Sequence, residues 1–174
     1  MAPRYSLARR KARNLIQEAK IKQAPVSVEK IARRLRAAIH YEPFQGQVSG
    51  MVHRKSDGSA IIGVNSSHAP TRQRFTIAHE LAHLVLHKDE KLHVDEKFPI
   101  GFRDEESSLA TKDSEIEANQ FAAELLMPMK FLVVEIKNLP ENLETDEAIQ
   151  ELADRFQVSV QAITLRLTRL GFLE

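Results

Sequence analysis

The sequence predicts an α+β fold built from a small antiparallel sheet and a buried helix that follows it. Two apolar stretches, 48–53 and 60–64, flank Asp57-Gly58, a dipeptide typical of the tight turn of a β-hairpin. Residues 74–87 then place apolar side chains around most of a helix and leave one polar stripe. Helical spacing also recurs before the hairpin and near the end of the chain.

The elements before the hairpin are two helices and a strand. Residues 4–20 form an amphipathic basic helix, with Tyr5 among its inward side chains. Ser27 is a suitable N-cap for a second helix that continues to about residue 38. Residues 39–44 are predicted to be a strand.

The composition indicates one hydrophobic core and restricts the chemistry of any metal site. The chain has 174 residues, of which 43% are hydrophobic, enough for one good core and a small appended module. It contains no cysteine, so a metal would have to be bound by histidine and carboxylate. No apolar run approaches the ~18 residues of a membrane span, and no signal-peptide pattern follows Met1. We expect a soluble, cytoplasmic protein without a membrane partner.

Charge is distributed unevenly along the chain. Residues 1–40 contain 11 Lys and Arg against 2 acidic residues, whereas residues 88–151 are acidic. This asymmetry is compatible with contact between segments or with an anionic partner, but solvated helix faces explain most of it better. Within the acidic part, residues 88–113 include Pro99 and Gly101 and are too long for an ordinary connector. They are predicted to be either a lid or an unstructured linker.

A metal-binding motif, His79-Glu80-Leu81-Ala82-His83, lies in the helix predicted at 74–87. The two histidines are four residues apart, so they stack on one helix face and can bind one Zn²⁺ through neutral nitrogens. Glu80 is offset around the helix, which leaves its carboxylate free to act as a general base toward water. His87 continues the stripe, but it lies roughly 12 Å from His79 along the helix axis, too far to share a zinc ion. A supporting role near the helix C-terminus suits His87 better.

The third ligand is predicted to be Glu115, in a helical segment that Pro128 ends. On a helical wheel Glu115 faces the core, whereas Glu117 points to the side with Glu124. We therefore expect Glu115→Ala to lose zinc and Glu117→Ala to retain it. Asn119 borders the same face as Glu115 and could hold the second ring nitrogen of a ligand histidine. The alternative is that Glu115 is a solvated acid favoured by the helix dipole.

These two patterns in this order resemble the ImmA/IrrE metallopeptidases. The resemblance covers roughly residues 25 to 172 and rests on Arg74-Phe75-Thr76-Ile77-Ala78-His79-Glu80-Leu81-Ala82-His83-Leu84 and Glu115-x-x-Ala118-Asn119, followed by Met127-Pro128. It implies a zincin-like, gluzincin-type peptidase domain with zinc bound by His79, His83 and Glu115. It also implies a substrate class, the helix-turn-helix (Xre-type) repressors or antitoxins, whose cleavage would relieve repression in a mobile-element or stress response.

The last part of the chain, 138–174, is predicted to be a helix-turn-helix-like module beside a peptidase domain at 1–137. Thr145 and Ser159 cap its two helices. Gln157 lies in the turn, where glycine usually adopts a positive φ at a saving of about 1 kcal/mol. Candidate recognition-helix side chains are Gln161, Thr164, Arg166, Thr168 and Arg169. We favour a helical buttress or a protein-docking role over direct DNA binding, which stays possible.

The sequence therefore predicts a site-specific zinc endopeptidase in which Glu80 activates water. The group that stabilises the oxyanion is left open among Tyr41, His53, His68 and His93. The alternative is a non-proteolytic DNA- or protein-binding regulator with a structural zinc site, although a structural site needs no general base.

Substrate binding is predicted along the strand at 60–64. An unpaired edge there would hydrogen-bond to an extended peptide, and Ile62→Pro would disrupt that edge and weaken cleavage.

Overall fold

The structure, a computed structural model, describes residues 3–88, 91–95, 113–140 and 142–174. Within these ranges the chain forms seven helices and four strands. In chain order they are α1 (Tyr5–Glu18), α2 (Val28–Arg34), β1 (Ala37–Glu42), β2 (Gly50–Arg54), β3 (Ala60–Asn65), α3 (Pro70–Leu86), β4 (Leu92–Asp95), α4 (Asp113–Leu126), α5 (Met129–Lys137), α6 (Asp146–Phe156) and α7 (Val160–Arg169).

The four strands form one mixed sheet in the order β1-β3-β2-β4. The predicted α+β class and the β2–β3 hairpin are confirmed. The sheet is not wholly antiparallel, however, because β1 pairs in parallel with β3, while β2 is antiparallel to both of its neighbours. Residues 60–64 are apolar almost throughout, a pattern typical of a strand enclosed on both sides.

The predicted unpaired edge at 60–64 is wrong, because β3 is central. Ile62 pairs with Ile39 on one side and with Val52 on the other, and its side chain is fully buried. Ile62→Pro would therefore break the middle of the sheet and is no test of substrate binding. The outer strands of the described sheet are β1 and β4.

Part of the predicted lid or linker at 88–113 is the strand β4. Its four residues are too few for the alternation of apolar and polar side chains to stand out in the sequence. Most of that segment, including Pro99 and Gly101, lies outside the described residues.

The core is formed where α3 packs between the sheet and α4, and where α1 packs on α4. The apolar faces predicted for α3 and α4 are buried there, with Leu81 and Phe121 fully inaccessible. Tyr5, predicted to point inward, is exposed because it begins α1 one turn before the first buried residue. The second helix ends at Arg34, earlier than predicted, because Arg36 adopts φ 56° and directs the chain into β1. No described helix combines the length and apolarity needed to cross a bilayer.

Helix α3 lies close against β2 at Gly50. A Cβ atom on Gly50 would lie 2.3 Å from Thr76 Cγ2 and 3.3 Å from Glu80 Oε1. Only glycine fits this contact, because real Cβ atoms do not approach other heavy atoms to 2.3 Å. The contact sets Glu80 directly against the sheet.

The last two helices begin as predicted. Thr145 Oγ1 accepts a hydrogen bond from the backbone N–H of Ala148, and Ser159 Oγ accepts one from that of Ala162, each at 3.2 Å. Most of their buried apolar side chains belong to the same cluster as those of the earlier helices. The division into 1–137 and 138–174 stays a prediction.

We expect Gln157→Gly to stabilise the protein by about 1 kcal/mol, because Gln157 has φ 54° and ψ 48°, a region that costs a residue with a Cβ about that much. Equilibrium denaturation by urea measures the change. The matched control is Gln150→Gly, in the exposed middle of α6, where glycine should destabilise by about 1 kcal/mol. Destabilisation by both substitutions would contradict the assigned strain.

Candidate metal centre

Two buried histidines on α3 face each other across one helical turn. His79 is 2% exposed and His83 is 1% exposed, and their Nε2 atoms are 3.1 Å apart. The end of this helix is held by Arg54 of β2, whose guanidinium donates to the carbonyl oxygens of His83 (2.6 Å), Leu84 (3.0 Å) and His87 (3.0 Å). A cation that satisfies these last carbonyls stabilises the helix terminus and fixes it to the sheet.

Helix α4 brings Glu115 to the two histidines. Its Oε2 lies 3.1 Å from His79 Nε2, and its Oε1 lies 3.5 Å from His83 Nε2. With a side chain 26% exposed and directed at both rings, Glu115 does not fit the alternative of a solvated acid. A fourth side chain, His93 of β4, joins the group, and the ligand atoms of all four residues lie within 4.8 Å of one another.

Asn119 fixes the orientation of His79. The amide oxygen Oδ1 of Asn119 lies 3.1 Å from His79 Nδ1, so that nitrogen donates to it. In a neutral imidazole the other nitrogen, Nε2, then keeps its lone pair. This nitrogen is the one that faces Glu115 and His83.

A longer chain of contacts fixes His83. Glu117 Oε2 accepts a hydrogen bond from His87 Nε2 at 3.1 Å, so in a neutral imidazole the other nitrogen of His87, Nδ1, is an acceptor. His83 Nδ1 lies 3.1 Å from that acceptor and donates to it, which leaves the lone pair of His83 on Nε2. Arg4 completes the chain, with its backbone N–H 2.7 Å and its Nε 2.9 Å from Glu117 Oε1.

Glu117 and Glu124 are buried, although the helical wheel placed them to the side of the core-facing residues of α4. They do share one side of α4, but that side is buried, and the two residues are 3% and 1% exposed. Glu124 pairs with Arg13 of α1 at 2.7 Å and with Arg166 of α7. The wheel missed this burial because it places residues on a helix and cannot show that a second helix supplies arginines to that face.

The orientations of the rings leave acceptor atoms facing one another. The Nε2 atoms of His79 and His83 and the carboxylate of Glu115 lie 3.1 to 3.5 Å apart, and all carry lone pairs toward a shared centre. Acceptors at this separation need a proton or a cation between them. Two imidazoles and a carboxylate are also a donor set typical of a divalent transition metal. The residues present therefore fit a metal ion.

Electrostatics at the site favour the metal-binding protonation states. Burial lowers the pKa of His83 to about 3, so its ring stays neutral well below neutral pH. Burial alone would raise the pKa of Glu115, but the adjacent imidazole rings of His79 and His83 outweigh this and hold the pKa below its usual value. The hydrogen bond from Arg4 lowers the pKa of Glu117 to about 2, which keeps a carboxylate beside His87.

The remaining predicted residues are placed as follows. Glu80 is fully buried between α3 and β2 and lies outside the group of four potential ligands. Of the candidates for stabilising an oxyanion, the structure brings only His93 into the described group, whereas Tyr41, His53 and His68 are not part of it. No sequence signal distinguished His93 from the other three, because its position follows from the pairing of β4 with β2.

We expect the three glutamates of α4 to differ in their effect on metal binding. Glu115→Ala should abolish most zinc affinity, because it removes a ligand atom. Glu117→Ala should weaken zinc binding by about 10–100-fold, the usual effect of losing a group that orients a ligand histidine. This replaces the expectation from sequence that Glu117→Ala retains full affinity. Competition with a chromophoric chelator measures each dissociation constant.

Glu124→Ala is the matched control for Glu117→Ala. Both substitutions remove a buried, arginine-paired carboxylate from the same helix, so both should lower the melting temperature. Of the two carboxylates, Glu117 is the one that contacts His87, which in turn contacts His83. Equal zinc affinity in the two variants would show that the contacts from Arg4 to His83 do not support the metal.

Known proteins are similar to this chain in sequence and in fold. The peptidase M78 family, described as the IrrE N-terminal-like domain, matches residues 32–168. The radiation response metalloprotease IrrE of Deinococcus radiodurans is 33% identical over 108 residues, which are 62% of this chain and 30% of that protein. The match thus spans less than a third of the length of this curated relative. A Mycobacterium tuberculosis transcriptional regulator has a similar fold, with a TM-score of 0.59 and 17% identity over 92% of this chain and 46% of that chain.

Proposed function

Because the chain belongs to the peptidase M78 family of IrrE N-terminal-like metallopeptidase domains, we propose that it is a site-specific, zinc-dependent endopeptidase. The observation that carries the proposal is the convergence of His79, His83 and Glu115, whose lone pairs face one centre. Histidine and carboxylate ligands without cysteine suit zinc, and three such ligands are typical of catalytic sites.

Each residue of the site has a distinct role in this proposal. His79, His83 and Glu115 hold the zinc ion, and Asn119 orients His79 through its Nδ1–H. A zinc ion bound there would lower the pKa of a water molecule and polarise the scissile carbonyl. Glu80 takes the proton of the attacking water and passes it to the leaving amine. Gly50 helps by letting α3 approach the sheet, so that Glu80 is held in a fixed position.

The substrate we propose is a helix-turn-helix repressor or antitoxin that is cleaved at one site. The resemblance to the ImmA/IrrE peptidases supports this class, and a stress response agrees with the name of the Deinococcus relative. For binding, the candidate surface is the edge of β4 that has no partner strand in the described sheet, where Leu92 is 55% and Val94 is 38% exposed. An extended peptide can add to such an edge through backbone hydrogen bonds, which position any sequence.

The C-terminal helices support the peptidase rather than DNA binding in this proposal. Arg166, one of the predicted recognition residues, is 5% exposed and is paired with Glu124, and its Nε donates to the carbonyl oxygen of Met127 at 3.2 Å. A buried, paired arginine cannot contact a base edge or a phosphate. Arg155 also pairs with Glu135 of α5 at 2.7 Å. These contacts suit a buttress, and they weigh against a DNA-binding regulator with a structural zinc site.

We expect Glu80→Gln to bind zinc and to fold normally, but to cleave its substrate at least about 10²-fold more slowly, the scale of losing a general base. The test incubates the wild type and the variant with the helix-turn-helix product of an adjacent reading frame, with and without zinc. Mass spectrometry then identifies fragments.

The controls separate catalysis from specificity. Casein should be digested poorly by the wild type if cleavage is site-specific, and zinc content should be the same in both proteins. Unchanged turnover in Glu80→Gln would remove Glu80 from the mechanism. Efficient digestion of casein would contradict a single dedicated substrate.

A further inference from the structure

A group of exposed basic side chains lies where the end of α1 meets the end of α2. Glu18, the last residue of α1, pairs with Arg34, the last residue of α2, with 3.3 Å between Glu18 Oε2 and Arg34 Nε. Two lysines follow Glu18 closely in the chain, and a third lies one helical turn before Arg34 on the same face of α2. We call these cations and their neighbour Arg33 the basic cluster: Lys20, Lys22, Lys30, Arg33 and Arg34.

Most of the charge of the basic cluster is unpaired within the described part of the chain. Arg34 pairs with Glu18, but no described carboxylate lies within ion-pair distance of the other four cations. The second acid nearby, Glu29, is turned toward Ser27, whose hydroxyl donates to it at 2.9 Å. The arginines that pack on α4, by contrast, are each paired with a buried carboxylate. The cluster therefore presents four unpaired positive charges to an anionic partner.

The chemistry of the cluster suits phosphate groups better than a protein or a membrane. The large apolar side chains that are exposed in the described ranges all lie outside residues 18–36. The apolar side chains of α2, such as Val28 and Ile31, are fully buried. Protein interfaces depend on apolar and aromatic anchors, and a helix that lies on a membrane needs an exposed apolar face. Phosphate groups need only closely spaced cations.

Among phosphate-bearing partners, a nucleic-acid duplex fits the cluster best. Single strands are held by aromatic side chains that stack on the bases, and residues 18–36 contain no aromatic residue. A DNA duplex instead offers a dense row of phosphates, with one charge per ~1.7 Å of helix axis. Cations on the outer face of a helix can contact such a row without reaching the bases.

We propose that the basic cluster binds the phosphate backbone of double-stranded DNA without selecting its sequence. This surface differs from the C-terminal helices, whose Arg166 is buried. The inference also goes beyond the proposed peptidase activity, because binding through these side chains needs neither the metal ion nor Glu80.

The basic cluster is separate from the metal centre. At the start of α1, Arg4 contacts Glu117, whereas the cluster begins at the other end of this helix. Fourteen helical residues span about 20 Å. The proposed substrate is itself a helix-turn-helix regulator, a class that binds DNA, so the peptidase and its substrate would meet on one duplex.

Fluorescence anisotropy with a labelled DNA duplex of about 20 base pairs and arbitrary sequence tests the proposal. The wild type should bind with a micromolar dissociation constant at low salt, and log Kd should rise with log salt with a slope of about 3 to 4, as expected for four phosphate contacts. The fourfold variant of the unpaired cations should bind at least about tenfold less tightly and lose most of this slope. Its substitutions are Lys20→Gln, Lys22→Gln, Lys30→Gln and Arg33→Gln.

The matched control removes the same number of charges from exposed lysines elsewhere on the chain. Its substitutions are Lys55→Gln, Lys91→Gln, Lys130→Gln and Lys137→Gln. Because both fourfold variants have the same net charge, the control should stay within about threefold of the wild type if the position of the cations matters. Circular dichroism verifies that both variants are folded.

Competition identifies the class of partner. Poly-glutamate, vesicles of phosphatidylglycerol, single-stranded DNA and duplex RNA should each displace the labelled DNA less well than unlabelled duplex DNA does. Better displacement by any of these competitors would overturn the assignment to DNA. Equal loss of binding in the two fourfold variants, or no binding by the wild type at low salt, would overturn it as well.

A cleavage assay separates this proposal from the proposed function. In the absence of DNA, the cluster variant should cleave the regulator as fast as the wild type does, and a reduced rate would overturn the separate role of the cluster. Absence of any cleavage by the wild type would instead contradict the proposed peptidase and leave the measured DNA binding unaffected.

Discussion

Mutual repulsion between acceptor atoms is the constraint on which the rest of this structure depends. His79, His83 and Glu115 are held 3.1 to 3.5 Å apart at the contact of α3 with α4, largely shielded from water. Acceptor atoms placed this close together repel one another unless a cation lies between them. Metal binding is therefore coupled to the packing of α3 on α4. The sheet packs on α3, and α1 packs on α4.

The buried carboxylates of α4 also need cationic partners. Glu117 and Glu124 lie on the face of that helix that α1 covers, and burying a carboxylate without a partner is costly. Each has an arginine from a distant part of the chain, Arg4 for Glu117 and Arg13 together with Arg166 for Glu124. Breaking one such pair costs more than forming it gains, because the remaining charge stays buried. The pairs therefore fix how α1 and α7 dock on α4.

Local spacing explains which parts of the site were predictable from sequence. His79, Glu80 and His83 share one helix, so their relation follows from helical geometry alone, and the wheel also separated Glu115 from Glu117. Contacts between distant segments were not predictable in this way. His93 reaches the site through strand pairing, and the burial of Glu117 depends on Arg4, which is 113 residues away in sequence. The central position of β3 likewise depends on β1, a strand whose partner the local pattern does not specify.

The pairing of α1 with α4 also means that the region of family similarity is smaller than the unit that folds. The family match begins at residue 32, after α1, and still contains all four candidate ligands. A protein shortened to that boundary would lose Arg4 and Arg13, and it would also lose the α1 side chains Ala8, Ala12, Leu15 and Ile16 that lie in the shared core. Recombinant fragments and domain transplants designed from similarity alone would therefore keep all four candidate ligands, but α4 would lose the arginines at positions 4 and 13 that pair with its buried carboxylates. A sound boundary for such work lies before Arg4, in front of the first helix.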